Sequence, residues 1–426
     1  MGVLNARDVE VLCEKLSPAD PTPLKHLHLY MEGIYPVELP SQLLSKVCNT
    51  LRSLTLEGCT IPHNVEMTIL SVLTSLSLFG VLEYGGILAA AFPSLHNLRM
   101  AQRETELEAE SSPLQPLRDL CLYHTRPSLR SVISAGASSN LTRLELHESA
   151  SLPSLGEDES FPSLRFFRLH TAASLTPSSI LYDQLSRMPR LEALDFVVSS
   201  DDRIPRVPME ETSAPYVPQP LPWKMFLPGL CTVNIYLHLR RFLHLYQYMV
   251  FPRLESQAYE LGMWNPVSDQ DTLDTIITTL HLLGLTAAGQ HGDQVARHNV
   301  SIEVWSVGRD IRIAEDCIQG PAPSNSSGFS MSMLNVLKTD DIVVLRGVFQ
   351  HLVLHGPTKL QLWFLQDVPL SLHQEDFAAF FDNHSQLQEL FIRVGIDEVL
   401  DLRALSALSE RVSQDSAQLA QRLPFL

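Results

Sequence analysis

The sequence predicts an α/β solenoid, with parallel strands on a concave face and short helices on a convex face. Three observations predict it. The stretch LRSLTLEGC, residues 51–59, follows the pattern LxxLxLxxC. Segments like it recur at nearly constant spacing. Prolines stand just ahead of several of them, at Pro93, Pro162 and Pro189.

The pattern has a physical cause. In an extended strand Leu54 and Leu56 fall on one face, while Ser53, Thr55 and Glu57 fall on the other. One such strand cannot bury its leucines alone and needs copies stacked beside it. The copies begin at Leu24 (LKHLHL), Leu51, Leu73 (LTSLSL), Leu95 (LHNLRM), Leu117 (LRDLCL), Leu141 (LTRLEL), Leu164 (LRFFRL) and Leu191 (LEALDF). These starts are 27, 22, 22, 22, 24, 23 and 27 residues apart. All fall within the ~20–29 residues of a leucine-rich repeat. A single LxxLxL would mean nothing in a chain so rich in leucine; eight in phase are a signal.

Short helices are expected between strands, over Val65–Val72, Gly86–Phe92, Leu129–Ala135 and Ser178–Arg187, where apolar residues recur at helical spacing. A proline after such a helix ends it and sets an extended entry to the next strand. Residues 1–200 thus read as regular repeats. Residues 201–223 carry Pro205, Pro208, Pro215, Pro218, Pro220 and Pro222 and read as an extended insertion or loop; their PxxP spacings have little basic flanking, so a plain loop is favoured over a docking peptide. The acidic run Glu104–Glu110 reads as a solvated loop.

Residues 224–426 read as less regular repeats. Leu230–Ile235 restores the strand pattern, and Leu254 opens another unit. Helices are expected over Arg241–Met249, Asp271–Ala288, Met333–Leu337, Val343–Leu352, Glu375–Phe381 and Leu402–Leu423. Strands are expected over Val300–Trp305, Leu360–Phe364 and Leu387–Arg393, and a flexible loop over 319–330. The chain stops at LPFL, where another strand would start, and neither end carries the polar cap of a terminal repeat. An incomplete gene product is the expectation.

Composition narrows the function classes. The formal charge is −17, from 31 Lys+Arg against 48 Asp+Glu. A nucleic-acid binder needs a basic stripe to displace counterions, and an anionic membrane surface needs the same. Neither partner is expected; basic or neutral proteins are. The N-terminus has no apolar signal core, and Ala6 stands where myristoylation wants Ser or Thr, so a cytoplasmic or nuclear location is expected. The four sequons, at Asn140, Asn299, Asn325 and Asn383, are then chance matches. None of the six cysteines forms a CxxC or other zinc spacing, and reduced thiols are expected, with Cys59 at the inward ninth position of its repeat.

No phosphate-binding loop, GxGxxG, HExxH or GxSxG is present. Carboxylates are scattered, and His26, His28, His147 and His170 occupy outward positions of their repeats. No catalytic residue, metal site or cofactor is predicted, and a hidden enzyme site ranks last. Positions three, five and seven of each segment point away from the core. In the central repeats these are Asp119, Cys121 and Tyr123, then Arg143, Glu145 and His147, then Phe166, Arg168 and His170. Neighbouring strands lie ~4.8 Å apart, so these side chains form one patch. Tyr, Phe and Arg are types that anchor protein interfaces. Tyr123, Arg143, His147, Phe166, Arg168 and His170 are therefore the candidate partner-binding centre.

The tandem LRSLTLEGCTIP and FPSLRFFRL units, with their proline-preceded strands and irregular spacing, resemble the leucine-rich-repeat regions of F-box-type proteins, especially the divergent set of mushroom-forming fungi. The resemblance covers roughly Leu24 to Leu254 well and the remainder loosely. It implies a substrate-recognition role in a cullin ubiquitin ligase, joined through a Skp-type adaptor that binds an N-terminal F-box. The nearest match to the opening of an F-box is Leu39–Val47 (LPSQLLSKV). It lies between two repeat strands and reads as an inter-repeat helix, so the F-box itself is not recognisable. A leucine-rich scaffold unconnected with ubiquitin is the alternative.

Overall fold

The computed structural model describes residues 11, 24–30, 37–38, 49–60, 71–79, 93–101, 116–123, 139–149, 160–172, 183–199, 224–262, 269–285, 299–305, 310–315, 329–334, 342–354, 359–365, 374–384, 387 and 389–394. The chain divides into two units, Met1–Cys231 with Val250–Arg253, and Thr232–Met249 with Leu254–Leu426.

The first unit is a parallel-strand solenoid. Its strands are β1 (His26–Tyr30), β2 (Ser53–Glu57), β3 (Ser75–Phe79), β4 (Asn97–Ala101), β5 (Asp119–Tyr123), β6 (Arg143–Ser149), β7 (Phe166–Ala172) and β8 (Ala193–Ser199). They pair in sequence order, each parallel to the next. Register is kept at the inward positions so that like positions of each repeat face each other, and it shifts in β6–β7 only beyond Leu146. Leu54 aligns with Leu27 and Leu76, and Leu56 with Leu29 and Leu78. The inward columns Leu27, Leu54, Leu76, Leu98, Leu120, Leu144, Phe167, Leu194 and Leu29, Leu56, Leu78, Met100, Leu122, Leu146, Leu169, Phe196 are buried throughout. So is the column of repeat-opening leucines, Leu51, Leu73, Leu95, Leu117, Leu141, Leu164 and Leu191. A slip of one residue would turn every one of these strand side chains to the other face, and that fixes the register.

Each strand entry is tied to the previous one by a shared acceptor. The carbonyl of Lys25 accepts the N–H groups of Arg52 and Ser53; Arg52 does the same for Thr74 and Ser75, and Thr74 for His96 and Asn97. The series continues through His96, Arg118, Thr142 and Arg165. Pro93, Pro162 and Pro189 stand in turns that precede strands, as expected. Of the expected helix Ser178–Arg187, residues 183–186 are helical. The expected helices over 86–92 and 129–135, the acidic run 104–110, the proline-rich 201–223 and the segment Leu39–Val47 lie outside the described residues; so does Val65–Val72 except for its last two residues, which form a turn.

The second unit contains β9 (Thr232–His238), α1 (Leu239–Tyr246), β10 (Ser256–Gly262), α2 (Asp269–Leu282), β11 (Asn299–Trp305), β12 (Asp310–Glu315), β13 (Phe329–Leu334), α3 (Ile342–His351), β14 (Lys359–Leu365), α4 (Gln374–Asn383) and β15 (Glu389–Val394). The strand order is β9-β10-β13-β12-β11-β14-β15. β10 and β13 are parallel, and so are β11 and β14. Between them, β12 runs antiparallel to both β11 and β13.

This meander corrects two expectations. Met333 and Leu334, read as the start of a helix, end β13 instead. FSMSML alternates with period two, and Met331 is buried on the inward face. Phe329 and Ser330, read as loop, open the same strand. The strand β12 was not expected at all, although Ile311 and Ile313 alternate inward within DIRIAE. The helix read over Arg241–Met249 ends at Tyr246, and Met249–Val250 is extended. The helices over 271–288, 343–352 and 375–381 and the strands over 300–305, 360–364 and 387–393 appear with shifted ends; the segment 402–423 lies outside the described residues.

Helices α1 to α4 pack in series, each against the next. α2 is capped by Gly284, two residues past its end, which has φ of 69°. The Leu285 N–H bonds to the Leu280 carbonyl and the Gly284 N–H to that of His281, the paired bonds of a Schellman cap. Between α3 and α4, buried Asp376 accepts from Arg346 Nε at 3.0 Å and Gln350 Nε2 at 2.9 Å. Among the described residues, no helix is long and apolar enough to cross a membrane.

Candidate functional site

The outward positions of β5 to β8 form three rows across the sheet. The middle row runs Arg99, Cys121, Glu145, Arg168, Asp195 on successive strands. Charge alternates along its last three members, so each carboxylate has a guanidinium on a neighbouring strand. Arg168 Nε donates to Asp195 Oδ2 at 2.5 Å, and its terminal nitrogen approaches Glu145 Oε2 at 3.4 Å. Arg143 Nε donates to Glu145 Oε1 at 2.5 Å, from two residues earlier on the same strand. His147 Nε2 contacts Glu145 Oε2 at 3.1 Å.

The flanking rows supply aromatic rings. Phe79 and Tyr123 meet across the small Ala101 between them, with centroids 5.8 Å apart. Tyr123 stacks on His147 at 4.5 Å and 12°. His147 meets His170 edge-on at 6.2 Å. On the other side, the Arg143 guanidinium lies 4.0 Å from the Phe166 ring centre and that of Arg168 lies 5.6 Å from it. Cations over a ring face are attracted by its quadrupole. All six residues singled out in the sequence, Tyr123, Arg143, His147, Phe166, Arg168 and His170, thus belong to one connected cluster.

Three outward residues, Cys121, Glu145 and Asp195, lie deeper than their strand position implies. Cys121 and Glu145 are buried, because the rings and guanidiniums of the neighbouring rows close over them. Their chemistry shifts accordingly. Burial pushes the Cys121 thiol up, and the charge of Glu145 adds to that; a hydrogen bond from the Tyr123 hydroxyl works the other way and does not offset them. That same bond, with burial, pushes Tyr123 up to about 12. Burial alone would raise Glu145, but the bonds from Arg143 and His147 outweigh it and hold the carboxyl below its ordinary value. Burial would lower Arg168; its pairing with Asp195 outweighs that and raises it.

Sequence reasoning missed the convergence of Cys121, Glu145 and His147. Their ligand atoms all lie within 4.8 Å of one another. No linear spacing marks them, since Cys121 and Glu145 stand in different repeats. The signal is present only when repeats are aligned: Cys121 faces Glu145 in register, and His147 follows two residues later on the same face. His26 and His28, by contrast, are exposed on β1, away from this cluster. No known protein family matches the chain, and no curated protein matches it.

Proposed function

We propose that this chain is a leucine-rich-repeat protein whose strand face binds another protein without catalysis, as the substrate-recognition part of an F-box-type ubiquitin-ligase receptor or a relative of one, in the cytoplasm or nucleus. The single observation that carries the binding reading is the cluster around Phe166. Arg143, with a side chain 45% exposed, stacks over that ring while its Nε is fixed by Glu145. A ring and guanidiniums already held in place lose little conformational freedom on binding, and such groups dominate interface energetics. The repeat pattern of the sequence supports short helices on the convex side and a concave strand face. The ligase role rests on the resemblance of the repeats to F-box proteins.

The test has two parts. The purified chain is offered a Skp-type adaptor, and partners captured by crosslinking through the strand face are identified. Adaptor binding supports the receptor role; a folded chain that binds a partner but no adaptor supports a ligase-independent scaffold. Alanine at Arg143, Phe166 and Arg168 together should weaken a captured partner at least tenfold, on the order of one interface hot spot. Unchanged affinity removes this cluster as the binding centre.

A further inference from the structure

We propose that Cys121, Glu145 and His147 form a binding site for a zinc-like divalent metal ion on the strand face, with a fourth position left for water. This goes beyond the protein-binding reading and does not depend on it.

The donor set is a thiol, a carboxylate and an imidazole, all within 4.8 Å of one another. Tetrahedral zinc binds these three types, at ~2.3 Å from sulfur and ~2.0–2.2 Å from nitrogen or oxygen. Such bond lengths place ligand atoms roughly 3.3–3.7 Å apart around the ion. Glu145 Oε2 and His147 Nε2 are already 3.1 Å apart. Small side-chain adjustments therefore close the site, with the strands held in register. Soft sulfur beside imidazole selects zinc, cobalt or copper over magnesium or calcium, which want oxygen.

The surroundings supply the supporting contacts that metal ligands need. Glu145 presents its two oxygens to different partners: Oε1 is held by Arg143, leaving Oε2 toward His147. Arg143 thus holds the carboxylate in orientation through the oxygen that does not face the metal. Tyr123 packs its ring flat on His147 and donates its hydroxyl to Cys121 Sγ, fixing both ligands at once. Arg168 and Arg99 stand beside the cluster as well. The arginines oppose a cation, and the charge of the thiolate formed on binding compensates for part of this. Binding would release the Cys121 thiol proton to solvent, and coordination through Nε2 would require the neutral His147 ring to carry its single proton on Nδ1.

Cobalt(II) titration of the chelator-treated full chain tests the site. One equivalent should produce a thiolate-to-cobalt charge-transfer band, which zinc then abolishes by displacement. Cys121→Ser should abolish the band, whereas Cys231→Ser, at a free thiol outside the cluster, should leave it. His147→Ala should weaken cobalt binding by at least about 10–100-fold, the cost of losing even a contact that supports a ligand. If Cys121→Ser does not fold, Glu145→Gln, which preserves shape, replaces it and should weaken binding at least tenfold. Absence of a band in the folded wild-type chain, or a band indifferent to Cys121 and His147, overturns the site.

Discussion

Arg168 reaches Asp195 on the next strand with an Nε–Oδ2 distance of 2.5 Å. The pair spans β7 and β8 at aligned positions, because Asp195 and Arg168 are register partners. The same guanidinium approaches Glu145 on the other side. Asp195 and Glu145 are both buried, so neither carboxylate can turn to water for compensation.

Removing the guanidinium should therefore cost more than an exposed ion pair. Arg168→Met keeps an unbranched apolar stem and removes the charge. We expect a loss of about 1–2 kcal/mol in urea unfolding, below the cost of a fully buried break because the Arg168 side chain is 36% exposed. Adding Asp195→Asn to Arg168→Met should recover part of the loss, since the buried charge that faced Arg168 is then removed as well. A double mutant as weak as the sum of the two single mutants would show that the residues act independently.

Gly347 of α3 faces Leu273 of α2 so closely that a Cβ would overlap the leucine side chain. Leu273 is buried, as are Ile276 on α2 and Val348 and Phe349 on α3, so moving the leucine aside would disturb a packed region. Gly347→Ala should destabilise the chain by about 1–3 kcal/mol, the scale of overpacking, despite the higher helix propensity of alanine. Leu273→Ala in the same chain should relieve the overlap. Thermal melts of the unchanged chain and the three variants check the coupling: the double mutant should be more stable than the two separate losses imply.

The strand columns were legible because one rule, leucine at positions one, four and six, is repeated with only conservative change. Phe167, Phe196 and Met100 take leucine's place without shifting register. The outward face was legible as a list of side chains but not as an environment. Burial of Cys121 and Glu145 depends on what the neighbouring strands place above them, which linear spacing does not encode. β12 and β13 were missed for a different reason. Neither carries the leucine pattern, both are flanked by polar stretches, and the methionines of FSMSML fit a helix as readily as a strand.

His384, just past the end of α4, links two helical segments of the second unit. It is buried, with its ring 4.3 Å from that of Phe380. The Leu354 N–H donates to Nε2 at 3.0 Å, so Nε2 is an acceptor and the ring proton is on Nδ1, which donates to the Phe380 carbonyl at 2.6 Å. Leu354 follows α3 and is itself buried, leaving its amide dependent on this imidazole. His384→Phe fills a similar volume and removes the acceptor. We expect a loss of about 1–3 kcal/mol, the cost of a buried donor without a partner. His384→Gln keeps an acceptor and should lose less. Hydrogen exchange distinguishes this from a general packing defect. The Leu354 amide should exchange faster in the phenylalanine variant, while amides of the β2–β3 pair in the first unit keep their protection. Equal acceleration in both units would assign the loss to global destabilisation instead.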